Sequence, residues 1–389
     1  MPLPLYRGLD APARPDTGAH MGLWFERYFS AYDPEFRAQV ELSKSEKENL
    51  QKQRGQWLKT CTRNQHGDQR KLLDKAVRQL EMVRSFGGDA RVFRCAGRFV
   101  SGIGNAHPLE NGFTWHPTLG MPYLPGSAVK GLVRAVVETA LDAGPEEKAR
   151  ILRLWFGTEQ KGDVAEQAGA FIFLDAIPVA PCELRAEVLT PHMGNWYEKG
   201  QKTPMVADTM PGDWHSPVPV LWLAASDLRL QFAVMPRPGA QASLDDLWEA
   251  LDYGLQYLGA GAKTAIGFGL FSPDSQGNDV VARQLRNHQE AMAEQQRRQA
   301  LASASEEQRC ILELGDYLES LPDRMPASDA RTPELWQRLE AAIALLTERG
   351  DASQKAELHA LIKGARDRKF IVSNKREKEF KALLARLNT

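Results

Sequence analysis

The chain has 389 residues, room for one large or two to three ordinary domains, and its 43% hydrophobic and 25% charged residues allow a globular chain with a buried core. A formal net charge of −1 excludes a uniformly basic nucleic-acid-binding surface, so any RNA contact must be a local patch. Four cysteines without CxxC spacing (Cys61, Cys95, Cys182, Cys310) argue against a disulfide framework or zinc site and fit a reducing cytoplasm; the proline-broken start is no signal peptide, and no apolar run is long enough to span a bilayer.

Residues 1–20 carry four prolines (Pro2, Pro4, Pro12, Pro15) and read as an extended arm. Helices are expected over 22–32, 34–60 and 68–86, the last with Leu72, Leu73, Ala76, Val77, Leu80 and Val83 on its apolar face. Alternation over 91–100 predicts one strand, with Arg94 and Arg98 on the same side. Pro122 and Pro125 forbid helix just before them. Gly126-Ser127 then reads as a turn, with the Ser127 hydroxyl as N-cap of a helix over 127–141. Val129, Leu132, Val133, Val136 and Val137 are its buried stripe, and Lys130 and Arg134 lie one turn apart on the other side, with Glu138 beyond. Such a helix start can hold phosphate. A second helix spans about 146–156, and 169–176 is apolar enough for a central strand. Segment 177–217 reads as one long irregular insertion, followed by strands over 218–225 and 228–236. Ser243 caps another helix, with Leu244, Leu247, Trp248, Leu251 and Leu255 as its stripe, and a last strand falls at about 264–271.

Between that helix and that strand runs a glycine loop, Gly259-Ala260-Gly261-Ala262-Lys263-Thr264-Ala265-Ile266-Gly267-Phe268-Gly269. Its glycines let the backbone approach an anion, successive N–H groups can form a nest, and Lys263 and Thr264 add donors. It is not a Walker A loop: Ala262 precedes Lys263, and Tyr257 stands where the first glycine belongs. The Rossmann fingerprint fails too, with Thr264 in the third glycine's place.

The run Gly102-Ile103-Gly104-Asn105-Ala106-His107-Pro108, then Pro122-Tyr123-Leu124-Pro125-Gly126-Ser127 with Lys130, Gly131 and Arg134, then this glycine loop, resembles the RAMP superfamily of CRISPR proteins. Within it, the pattern is most similar to the family of sixth Cmr subunits of type III-B effector complexes. Thr190-Pro191-His192 and Pro217-Val218-Pro219-Val220 add to the likeness, which covers roughly 91–273. The resemblance implies an α+β fold with a modified ferredoxin-like, RRM-type core carrying insertions. The order strand, helix, strand, strand-strand, helix, strand is compatible with that βαββαβ unit. Three parts follow: an N-terminal arm and helices (1–90), the RAMP core (91–273) and a helical C-terminal extension (274–389).

The resemblance further implies a non-catalytic, cytoplasmic RNA-binding subunit that holds the guide RNA backbone toward its 3′ end and contributes to target RNA binding. Its partners would be CRISPR guide RNA, complementary target RNA and other Cmr-type RAMP subunits, with no membrane and no cofactor. Backbone contacts suit a protein that must accept any guide. The residues expected to make them are Gly126, Ser127, Lys130, Arg134, Gly259, Gly261, Lys263, Thr264 and Gly267. Tyr123, Trp196, Tyr197 and Trp214 are candidates for stacking on bases. The alternative is a metal-independent RAMP endoribonuclease that processes guide RNA with His107 or His192. His116 and His215 also fall in loops, Asp208 and Asp213 sit on a proline-rich stretch, and no histidine pair has metal-ligand spacing.

The extension reads as a long polar helix over 276–301 and helices over 306–321, 333–348, 353–364 and 375–388, packed as a bundle. From Lys363 to Arg386 nine Lys or Arg stand against three acids, so this end is locally basic.

Overall fold

The computed structural model describes residues 15–31, 41–158, 166–200, 202–203, 206–207, 209–212, 214–215, 217, 219–323, 333–369 and 374–387. Most of the expected N-terminal arm, residues 34–40 of the second expected helix, and Asp208 and Asp213 lie outside them. The elements fall into two compact units, 1–286 and 287–389.

In the first unit, α1 (Met21–Arg27) starts at His20, whose ring accepts from the Leu23 N–H. α2 (Lys44–Cys61) opens on a capping box between Ser43 and Glu46. β1 (Arg63–His66) follows, then α3 (Gln69–Ser85), capped by the Asp68 carboxylate. Then come β2 (Asp89–Cys95), β3 (Arg98–Phe99), α4 (Gly126–Thr139), α5 (Pro145–Phe156), β4 (Gly157–Thr158), β5 (Gln167–Ala168), β6 (Phe171–Phe173) and β7 (Ile177–Pro178). After them lie β8 (Cys182–Leu189), α6 (Gly194–Lys199), β9 (Val220–Ser226), β10 (Arg229–Pro236) and α7 (Leu244–Tyr253). A π-helix (Gly254–Leu258), a 3-10 turn (Thr264–Ile266) and β11 (Phe271–Pro273) lead into α8 (Ser275–Ser303).

Antiparallel pairing builds a sheet in the order β11-β2-β10-β6, with β7 also on β10. Side-chain alternation gives it two buried faces. Ala90, Val92 and Ala233 meet Ala76, Val77, Leu80 and Val83 of α3. Phe93, Leu230, Phe232 and Phe271 join Val129 and Val133 of α4 and Leu247, Trp248 and Leu251 of α7 in the main core. On that side Arg91 lays its guanidinium 4.5 Å from the Trp248 ring centroid. Gln231, buried, donates to the Ala76 carbonyl and to Gln79, so its amide costs little to bury. A second antiparallel sheet, β1-β8-β9-β3, packs Leu184, Leu223 and Ala225 with Trp57 and Leu58 of α2.

Several expectations change. The strand over 169–176, expected to be central, is the three-residue β6 at the end of its sheet, and the first two helices are shorter than expected. The strand over 91–100 breaks at Ala96-Gly97, and the chain passes from one sheet to the other; Arg94 and Arg98 end in ion pairs with Asp227 and Glu187, and both arginines, Asp227 and Glu183 line a polar pocket of about 460 Å³. The strands over 218–225 and 228–236 are present, but β9 pairs with β8 and β10 with β2, so they serve different sheets. Segment 177–217 is not simply irregular, because it supplies β7, β8 and α6. The last strand starts only at Phe271, because Lys263 and Gly267 are left-handed and hold 264–266 as a turn.

The second unit packs α9 (Glu306–Ser320), α10 (Pro333–Arg349), α11 (Ala352–Lys369) and α12 (Asn374–Ala385) around Ile311, Leu314, Leu318, Leu335, Leu339, Ile343, Leu358 and Ile362. Lys369, Lys375 and Arg376 of the basic run have side chains outside the described set. Among the described residues no helix is long and apolar enough to cross a membrane. Cys61, Cys95 and Cys182 are buried free thiols, and burial pushes Cys61 up to about 12 and Cys95 to about 11.

Candidate nucleic-acid interface

Leu124 is fixed before α4 by a two-way backbone bridge to Ala176. The N-cap is Pro125 and the helix begins at Gly126, so Ser127 is an exposed first-turn residue and not the cap. The first amide has an internal acceptor: Gly126 N–H donates to Asp175 Oδ1 at 2.8 Å. Gly126 is required there, because a Cβ would run into the Phe173–Leu174 backbone. A protein carboxylate therefore meets the positive helix end that the sequence offers to phosphate. Asp175→Ala is expected to cost about 1 kcal/mol, with Asp175→Asn keeping most of it, read from the urea midpoint.

The two cations of α4 are exposed and engaged. Lys130 Nζ donates to the carbonyl of Phe156, the last residue of α5, at 3.3 Å, where a cation suits the helix dipole. Arg134 pairs with Glu138 at 2.8 Å, an exposed pair of small worth.

The glycine loop is closed on itself and pinned to an edge. Gly259 N–H donates to Gly254 O, Ala260 N–H to Gly269 O, Ala262 N–H to Val100 O and Gly269 N–H to Arg98 O, all between 2.7 and 2.9 Å. Those amides are spent inside the protein, so the nest expected around Gly259–Gly261 is largely filled. Outward the loop presents Gly261, Gly267 and Ile266, with Lys263 and Thr264 half-buried. Lys263 makes no ion pair with any described residue.

The two turns share a support. Gly261 sits so close to the Val100 carbonyl and the Phe99 ring that a Cβ would collide, and Ala262 bonds Val100. The next residue, Ser101, donates from Oγ to the Tyr123 carbonyl at 3.2 Å, four residues before Ser127. Helix packing agrees. The groove between α4, α5 and α7 is lined by Val136, Ala140, Ala250 and Tyr253, and Gly254 lies against Leu132 and Val136. α7 thus runs antiparallel to α4 and delivers the glycine loop toward the start of α4.

His107 and His116 are built into the fold. His107 stacks on Phe25 with ring centroids 4.1 Å apart, bonds Phe25 O through Nε2 and accepts from Leu109 N–H at Nδ1. His116 is buried, and its Nδ1 accepts from Thr118 and Leu119. Burial depresses both pKa values. A depressed folded pKa means the unfolded chain takes the proton first. Stability is therefore expected to fall as pH drops from about 6.5, the unfolded value, toward the lower folded values, and to flatten below them. A urea-midpoint series from pH 7.5 to 5, flatter in His107→Asn/His116→Asn, checks this. His192 is exposed, and among the described residues no group of three His, Cys, Asp or Glu can hold a metal.

Of the stacking candidates, Tyr123 stands edge-on to His116 and Trp196 is half-buried, while Tyr197 and Trp214 are exposed. Sequence reasoning missed Asp175, whose only signal is a lone acid ending an apolar run. It also missed Val100-Ser101, which carries no signal of its role.

A family model described as RAMP superfamily matches residues 86–272. Over 241 residues, 49% of this chain and 69% of the relative, the chain is 25% identical to the CRISPR system Cmr subunit Cmr6 of Pyrococcus furiosus. Two solved structures are similar in part. One is a chain of a cryo-EM structure of the type III-B Cmr-beta bound to cognate target RNA, with TM-score 0.45, 20% identity, and 61% of this chain and 77% of that one covered. The other is the crystal structure of Cmr6 from Pyrococcus furiosus, with TM-score 0.28, 21% identity, and 48% and 98% covered.

Proposed function

From the premise that residues 86–272 form a RAMP superfamily domain, we propose that this chain is a non-catalytic RNA-binding subunit of a type III-B Cmr effector complex. In this reading it holds the guide RNA backbone toward its 3′ end, contributes to target RNA binding, and assembles with other Cmr-type RAMP subunits. We read β2-α4-β6-β10-α7-β11 as the ferredoxin-like unit; the order β11-β2-β10-β6 is the one such a unit gives.

The carrying observation is the shared support at Val100-Ser101, which ties the glycine loop and the segment leading into α4 to two adjacent residues. With most loop amides spent internally, the grip on phosphate falls to side chains: Lys263 first, then Lys130, Arg134, and the Ser127 and Thr264 hydroxyls. Such contacts position RNA without reading sequence. The engagement of both His107 ring nitrogens by the backbone favours this reading over a His107-dependent nuclease.

The test is salt-dependent binding of guide-length RNA. Lys130→Glu and Lys263→Glu are expected to weaken binding of unrelated sequences alike, with the salt slope falling by about 0.7 for each phosphate no longer neutralised. Unchanged affinity and slope in both variants would refute the site. Cleavage of RNA by the purified chain that His107→Ala or His192→Ala abolishes would refute the non-catalytic part.

A further inference from the structure

We propose that Tyr257, backed by Tyr253, is a stacking platform for a base of the single-stranded RNA whose backbone passes over the glycine loop; this rests on the RNA-binding reading above. Tyr257 is 68% exposed and Tyr253 43%, and their ring centroids lie 4.8 Å apart. The Tyr257 ring is left largely in water with Tyr253 beside it, and a tyrosine loses little side-chain entropy when a flat partner covers it.

Their position gives the surface its meaning. Both sit where α7 widens into the π-helix, closed by the Gly259 N–H donating to Gly254 O. A single π-turn in an α-helix often marks a functional site, because the extra residue re-aims the side chains around it. Gly254, one residue after Tyr253, lies against Leu132 and Val136 of α4. A further helical turn carries Tyr257 toward the N-terminal half of α4. There Ser127, Ala128, Lys130 and Gly131 are exposed, and a Cβ at Gly131 would meet nothing within 4 Å.

The charges give a direction. Lys263, without an ion pair among the described residues, lies six residues beyond Tyr257 at the loop, and Lys130 lies on α4. Asp246 and Glu249 lie on α7 before Tyr253, lining the groove that Tyr253 enters. A phosphate chain is drawn to the loop side and repelled from the groove side, which leaves Tyr257 at the edge a base would reach. Every base has a π-face, so such stacking tolerates any guide sequence.

The experiment uses the full-length chain and two fluorescein-labelled probes of equal length, a 15-nucleotide polyuridine RNA and an abasic phosphodiester oligomer, followed by anisotropy. Tyr257→Ala should lose roughly 5- to 100-fold affinity for polyuridine and nothing for the abasic probe, at an unchanged salt slope. Tyr257→Phe and Tyr257→Trp should bind polyuridine like the parent. The inference is overturned if Tyr257→Ala binds polyuridine normally, or loses equally on both probes, while Lys263→Glu still weakens binding. Loss of a co-expressed Cmr-type subunit from Tyr257→Ala at unchanged RNA affinity also overturns it and gives the face to a protein. A parent chain that binds neither probe in a salt-sensitive way sinks the RNA-binding reading and the platform with it.

Discussion

Phe232→Ala is expected to destabilise the 1–286 unit by about 3–5 kcal/mol, the range for removing a fully buried phenyl group. Phe232 has no exposed surface and stands edge-on to Phe93 at 5.4 Å and to Phe271 at 5.9 Å, so one ring joins β10, β2 and β11. The cavity would open in the centre of the main core, beneath α4 and α7, where backbone collapse cannot fill it. Every tryptophan but Trp336 precedes residue 287, so tryptophan emission through a urea titration reports chiefly this unit. A midpoint change worth less than about 1 kcal/mol would mean that the ring is not the keystone of this sheet.

Gly269→Ala should lose at least about 2 kcal/mol and dismantle the glycine loop. Gly269 has φ +72°, a conformation an L-alanine adopts only with strain, and its Cβ would press into the Ala260 carbonyl oxygen. Gly269 also holds both ends of the loop: its carbonyl accepts from Ala260 N–H at 2.7 Å, and its N–H donates to Arg98 O at 2.7 Å. The control is Gly267→Ala. Gly267 has φ +88° but open space around it, so only the backbone strain of about 1–2 kcal/mol is lost. RNA binding should drop more with Gly269→Ala than with Gly267→Ala. Equal stability of the two variants would mean that the loop's closure onto β3 is not what shapes it.

The features legible in the sequence are those with local causes. The stripe Val129, Val133, Val136 and Val137 is the buried face of α4 as its spacing requires. The glycine loop lies where expected, between α7 with its π-helix and β11. What escaped depends on partners far along the chain. The helix start moved from Ser127 to Gly126 because its first amide finds a carboxylate forty-nine residues away. Alternation continues smoothly from Arg91 to Val100, so nothing local announces that Ala96-Gly97 changes sheets. The nest failed for the same kind of reason: Arg98 and Val100 claim loop amides that glycine content alone leaves free. β8 was legible in principle, since Cys182 and Leu184 alternate inward against Glu183 and Arg185, but the proline-rich surroundings masked it.

The most direct measurement is photocrosslinking of 4-thiouridine-substituted guide RNA to the full chain assembled with its co-expressed neighbours, mapped by mass spectrometry. The shared-support account expects adducts in both 121–134 and 259–269 from the same short stretch of guide. Adducts confined to the basic helices of 352–387, or to only one of the two turns, would contradict it.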